Sequence, residues 1–148
     1  MRILVIFCHP SDASFGAALY DIACRTLIAA GHELRLHDLY RENFQPVLSK
    51  DEWQDYLPAT QKIINKHPDH IDDLRWCEGL VIIYPTWFYG APAMLKGWLE
   101  RVWLPTVTFE ISEAKYKRPR PKLTHIRLFV GITTSGSPWW WIRLIGDP

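Results

Sequence analysis

The chain of 148 residues has only three cysteines, Cys8, Cys24 and Cys77, an odd number scattered through apolar segments. That argues against a disulfide framework and for buried, reduced thiols. Charge of one sign is also missing: 17 basic against 16 acidic residues leaves +1, so no global field draws the chain toward nucleic acid or an anionic membrane. No apolar run approaches the roughly 18 residues of a membrane-spanning helix, so no direct membrane insertion is expected. The opening "MRILVIFC" is too short for the apolar core of a signal peptide and runs into "HPSD" without a small-residue cleavage site. These absences together describe a cytoplasmic protein. There is no internal repeat, and neither a Walker loop nor G-x-G-x-x-G is present, so the ATP and dinucleotide fingerprints are unsupported.

What is present is a hydrophobic fraction of 48%, enough for the core of one ordinary domain spanning 1–148. "RILVIFC" (2–8) and "LVIIYP" (80–85) are continuous apolar runs, the pattern of strands buried on both faces of a parallel sheet. "FGAALYDIACRTLIAAG" repeats Phe15, Leu19, Ile22 and Leu27 at helical spacing and closes on Gly31. "HELRLHDLY" alternates Leu34 and Leu36 with polar residues, as an edge strand does. From Arg41 to Asp69 the chain is polar and broken by Pro46, Pro58 and Pro68, which predicts an irregular excursion with one or two short helices. "APAMLKGWLERVWL" has helical composition with Pro92 near its first turn, and "HIRLFVGITT" supplies a fourth strand. The alternation predicts an α/β fold with right-handed crossovers. Such a domain is expected to continue into a further helix and strand, so the sequence reads as C-terminally truncated.

Ligands of open α/β sheets bind beyond the carboxyl ends of the strands. Three loops lie there. "HPSDASFG" places Ser11, Asp12 and Ser14 at a helix entrance, suited to holding a phosphate or simply to capping the helix. "PTWFYGAP" sets Trp87, Phe88 and Tyr89 where polar turn residues would be ordinary. It fits either a flat heteroaromatic ligand or aromatics packed on their own subunit or a partner. "TTSGSPWWW" offers the hydroxyls of Thr133, Thr134, Ser135 and Ser137 with Gly136, beside Trp139, Trp140 and Trp141.

In this order and on these elements, "HPSDASF", "YPTWFYGAPAMLKGWLERVW" and "ITTSGS" resemble the flavodoxin-like NAD(P)H quinone oxidoreductases, the family of DT-diaphorase and its bacterial relatives. The most specific part is G-x-P-x-x-L-K-G-W-x-E-R-V, from Gly90 to Val102. The resemblance implies a flavodoxin-like three-layer sandwich with a parallel sheet in order 2-1-3-4-5, here lacking the fifth strand. It also implies a tightly held flavin, FAD or FMN, and ping-pong hydride transfer from NAD(P)H through flavin N5 to a quinone. By resemblance His9, Ser14, Phe15 and Gly16 fall in the flavin phosphate region. Pro85, Thr86, Trp87, Phe88 and Tyr89 line the ring, and Thr133, Thr134, Ser135 and Gly136 close its other side. Trp141 falls near a family tyrosine beside the ring, and the histidine that follows that tyrosine has no counterpart here. No catalytic side chain is assigned, because the flavin carries the chemistry. Tyr89, Trp139, Trp140 and Trp141 are expected to shape the acceptor pocket.

The family's site lies at a two-fold interface, so a homodimer is expected. The alternative function is a flavin-bound ancillary subunit of a membrane transporter such as a potassium efflux system, which shares the fold. No metal site is expected: His67 and His70 in "HPDH" read as a solvated loop, and His32, His37 and His125 as structural. The basic run Lys115, Lys117, Arg118, Arg120 and Lys122 reads as solvated, or as a contact for the donor's phosphates. Glu100 and Arg101 read as a surface or interface ion pair, with one of Trp98 and Trp103 facing the core and the other a partner.

Overall fold

The computed structural model describes residues 1–110 and 118–145, with the side chain of Ile145 outside that set. Four strands, β1 (Arg2–Phe7), β2 (Glu33–Asp38), β3 (Gly79–Pro85) and β6 (Leu128–Thr134), form one parallel sheet in the order β2-β1-β3-β6. Counting only these strands the order is 2-1-3-4, as expected for a flavodoxin-like sandwich. A second, two-stranded antiparallel sheet pairs β4 (Phe109–Glu110) with β5 (Arg120–Pro121) and was not anticipated.

The continuous apolar strands are continuous because each covers two cores. Leu4, Ile6 and Cys8 of the β1 segment and Leu80 and Ile82 of β3 face one cluster, while Ile3, Val5, Phe7, Val81 and Ile83 face the other. Helix α1 (Phe15–Ala29) covers the second cluster with Cys24 and the partly buried Tyr20 and Leu27. Its Phe15 and Ile22 point outward instead, so half of the predicted apolar stripe is surface. The first cluster is covered by α3 (Thr60–Ile64), α4 (Pro68–Trp76) and α5 (Ala93–Val102). The excursion also carries α2 (Lys50–Asp55), started by a capping box in which the Ser49 hydroxyl accepts from the Glu52 amide and Glu52 accepts from the Ser49 amide.

α5 fixes the excursion. Gly97 packs directly on the backbone at Pro46, where a Cβ would overlap the Pro46 carbonyl and Cα, so only glycine fits. One turn on, Arg101 is buried and reaches both the Gln45 carbonyl and the Glu52 carboxylate. The surface pair expected between Glu100 and Arg101 is therefore replaced: Glu100 meets Lys96 at 3.6 Å on the outside, while Arg101 pairs with Glu52 inside. Trp98 is fully buried and Trp103 packs against the same cluster, so both tryptophans serve one core rather than a core and a partner. The last helix, α6 (Trp139–Ile145), follows β6. Among the described residues no helix is long and apolar enough to cross a membrane.

Candidate functional site

Because β1, β3 and β6 are parallel neighbours, the chain leaves all three at one end of the sheet. The exits of β3 and β6 are tied by a single oxygen: the Thr134 carbonyl accepts from the Thr86 amide at 2.7 Å and from the Thr86 hydroxyl at 3.0 Å. Beyond this tie, Trp87 and Gly90 exchange both backbone hydrogen bonds at 3.1 Å, closing a two-residue turn over Phe88 and Tyr89. Both central residues are left-handed, with φ of 50° and 59°. Turns of that geometry ordinarily use Asn or Gly, and bulky side chains there are strained, a condition that clusters at ligand sites. The amides of Phe88 and Tyr89 make no hydrogen bond among the described residues, and Phe88 is 103% exposed.

A cleft of about 690 Å³ opens between this turn and the β6 exit, lined by Phe15, by Pro85 to Tyr89 and by Thr134 to Ser137. Its volume and mixed lining suit a planar ring with several acceptor atoms. The free amides answer the chemical part of the fit, since they are donors left without acceptors. At the near end, Ser14 caps α1 by accepting from the Ala17 amide at 3.0 Å, while the amides of Phe15 and Gly16, at the positive end of a helix of 15 residues, have no partner among the described residues. Ser14 is thus an N-cap. Asp12 is paired with Arg41 at 2.9 Å, which offsets its negative charge beside this entrance.

Of the other expected site residues, His9 lies beside the cleft with its ring centroid 6.3 Å from that of Trp87, and its Nδ1 accepts from the Ser11 amide at 3.0 Å. Gly16 is buried under Ser14 and His9, and Thr133 sits within β6 opposite Tyr84. Trp139, Trp140 and Trp141 do not line the cleft. Trp141 reaches it indirectly, donating from Nε1 to the Tyr89 hydroxyl at 2.9 Å, with Ser137 Oγ 3.4 Å from the same oxygen. These two contacts, Ser137 first, draw the Tyr89 phenol below its ordinary pKa. Ser137, read from sequence only as one of the hydroxyls of this loop and given no place in the cofactor site, lines the cleft. Arg118, Arg120 and Lys122 are exposed, and Lys115 and Lys117 lie outside the described residues.

A second polar group forms under the excursion, where a solvated loop was expected. His67 and His70 are partly buried, and His70 stacks on His37 with centroids 3.9 Å apart. His37, Glu42 and His70 offer ligand atoms within 4.8 Å of one another, the makeup of a metal site. The proton count argues against that use. Trp98 Nε1, a donor only, meets His70 Nδ1 at 3.2 Å, so neutral His70 keeps its proton on Nε2, facing Glu42 at 3.5 Å. His37 faces carboxylates with both nitrogens, Glu42 and Asp73, each at 3.0 Å. Burial alone would lower the His37 pKa, yet the two carboxylates outweigh it and raise it from its ordinary value. Burial, then the neighbouring His37 charge, holds His70 at about 4. His67 is also held at about 4, by burial and then by Arg101, and its Nε2 is buried without a partner among the described residues.

The profile of the flavodoxin-like fold family matches residues 1–141. The chain is 33% identical over 133 residues to a ribosyldihydronicotinamide dehydrogenase-like protein of Penicillium crustosum, covering 80% of this chain and 49% of that one. It is 29% identical over 151 aligned positions to NAD(P)H dehydrogenase (quinone) 1 of Cavia porcellus, covering 92% of this chain and 54% of that one. Among solved structures it is similar to the NAD(P)H:quinone oxidoreductase from Methanothermobacter marburgensis, with a TM-score of 0.83 and 26% identity over 99% of this chain and 72% of that one. The chain therefore spans about half the length of these two curated relatives.

Proposed function

This chain belongs to the flavodoxin-like fold family, and from that premise we propose that it is a flavin-dependent NAD(P)H oxidoreductase acting on quinones or similar electrophilic acceptors. The observation that carries the reading is the left-handed Trp87–Gly90 turn, which strains two aromatic residues that line the cleft and leaves their amides without acceptors among the described residues. Strain of that kind persists where a ligand gains from it. The relatives named for NAD(P)H and quinone point to the same chemistry.

A bound flavin supplies the hydride chemistry, taking from NAD(P)H and giving to the acceptor in ping-pong order. The amides of Phe88 and Tyr89 would hold the ring by donating to its acceptor atoms, and fixed donors of this kind would need no reorganisation as charge develops. The Thr86 to Thr134 tie holds the two cleft walls at one spacing. The amides of Phe15 and Gly16 at the start of α1 would hold the flavin phosphate, with Ser14 and His9 beside it. Exposed Phe88, Trp139 and Trp140 are the surface that a second copy covers, giving a homodimer. Three buried free thiols suit a reducing cytoplasm.

The test is to purify the protein, record its visible spectrum, release and identify the flavin as FMN or FAD, and follow NADH and NADPH oxidation with menadione. Yellow protein with acceptor-dependent turnover is expected, eluting at the mass of two chains. A colourless protein that takes up neither flavin overturns the reading. Flavin bound without turnover favours the ancillary-subunit alternative.

A further inference from the structure

We propose that Tyr89 is the proton donor to the acceptor's oxygen during its reduction, positioned for that role by Trp141 and Ser137. The proposal rests on the flavin-dependent reading above and names the acid that it leaves unassigned. Two-electron reduction of a quinone by hydride transfer produces a hydroquinone monoanion, and the remaining oxygen needs a proton. Among the described residues lining the cleft, Tyr89 is the only one whose side chain titrates. It is therefore the one lining group that can supply that proton without a water relay.

Its hydrogen bonds are arranged for release. The indole of Trp141 can only donate, so at 2.9 Å the Tyr89 oxygen accepts. The Ser137 hydroxyl, 3.4 Å away, can donate to the same oxygen. With both donors on the oxygen, the phenolic proton is free to face the cleft, and the phenolate left after transfer is already solvated by two fixed donors. The lowered phenol pKa agrees with this, and no charged side chain from α1, the β3 exit, the β6 exit or α6 contributes to it. Tyr89 is 50% exposed, so solvent can return the proton. In the balanced step, once the quinone has taken the hydride that a bound flavin would supply, the Tyr89 O–H bond breaks, an acceptor O–H bond forms, and solvent reprotonates the phenolate.

The experiment compares the flavin-loaded wild type with Tyr89→Phe and Trp141→Phe. Anaerobic stopped-flow separates reduction by NAD(P)H from reoxidation by menadione or by ferricyanide, an electron acceptor that takes no proton. Tyr89→Phe is expected to keep its flavin, to be reduced at the wild-type rate and to be reoxidised by ferricyanide normally. Its reoxidation by menadione slows on the order of 10²-fold and loses its pH dependence. In a readout independent of turnover, the ultraviolet ionisation step missing from Tyr89→Phe should move to higher pH in Trp141→Phe. Menadione reoxidation within twofold of wild type, equal slowing with ferricyanide, or an ionisation step unmoved by Trp141→Phe each overturns this proposal alone. A wild type that binds no flavin overturns the functional reading and this proposal with it.

Discussion

Trp98 and Trp141 each donate an indole N–H to a titratable side chain, and the two settings are opposite. Trp98 is 0% exposed and its N–H meets His70 Nδ1 inside the larger core, where it fixes a tautomer and completes a network joining β2, α4 and α5. Trp141 is on the surface, and its N–H meets Tyr89 at the cleft without settling where the phenolic proton points. The contrast separates polar groups that are satisfied, and hence structural, from polar groups left with one bond unspent. The network of His37, His70 and Trp98 belongs to the first kind and the cleft to the second, although His67 Nε2, Arg101 Nε and Trp103 Nε1 are buried nearby without a partner among the described residues.

Breaking the first kind should cost the most. Arg101→Met leaves Glu52 buried beside an absent partner and is expected to lose about 3–5 kcal/mol in urea unfolding. The double variant Arg101→Met, Glu52→Leu should recover much of that, because neither charge is then stranded. Gly97→Ala forces a methyl into the Pro46 backbone and should lose about 1–3 kcal/mol by the same measurement.

Acid should find the same region. His67 and His70 have folded pKa values of about 4 against 6.5 unfolded, so they contribute stability above pH 6.5 that is lost as pH falls toward 4. Glu52 continues the loss from 4.5 toward 2, because hydrogen bonds from Ser49, Arg101 and Lys66 outweigh the burial that raises its pKa. His37 runs the other way: raised above 6.5, its contribution is complete below that pH and fades as pH climbs through the folded value. A urea midpoint followed across pH should therefore drop between 6.5 and 4, and His67→Gln should flatten that limb. The smallest effect is expected at the cleft. Phe88→Asn suits the left-handed turn and should change stability by no more than about 0.5 kcal/mol while weakening flavin retention, read from the visible spectrum after gel filtration.

The sheet was legible because β1 and β3 are buried on both faces, which leaves no polar residue to interrupt the run. α4 was not, since Pro68 acts as its first residue rather than as a breaker, and only Ile71 and Leu74 in a charged stretch are buried. The capping box at Ser49 and Glu52 has the S-x-x-E spacing of a helix start and was readable. That the same Glu52 also meets Arg101, 49 residues on, was not, because one-dimensional spacing says nothing of such a pair. At the cleft, the loops were found from their place beyond the carboxyl ends of the strands and their roles from the family pattern, whereas the tie between Tyr89 and Trp141, 52 residues apart, appears only when the β3 and β6 exits are adjacent.

The seat of Gly97 on Pro46 has a consequence for how the molecule comes apart. With no side chain between them, α5 and the excursion share one surface, which the Arg101 bonds to Gln45 and Glu52 extend. The two should open as one cooperative unit, so amides of α2 and of α5 should exchange with deuterium at matched free energies. A protease cut in the excursion should therefore loosen the helix that follows the aromatic turn, far along the chain from the nick.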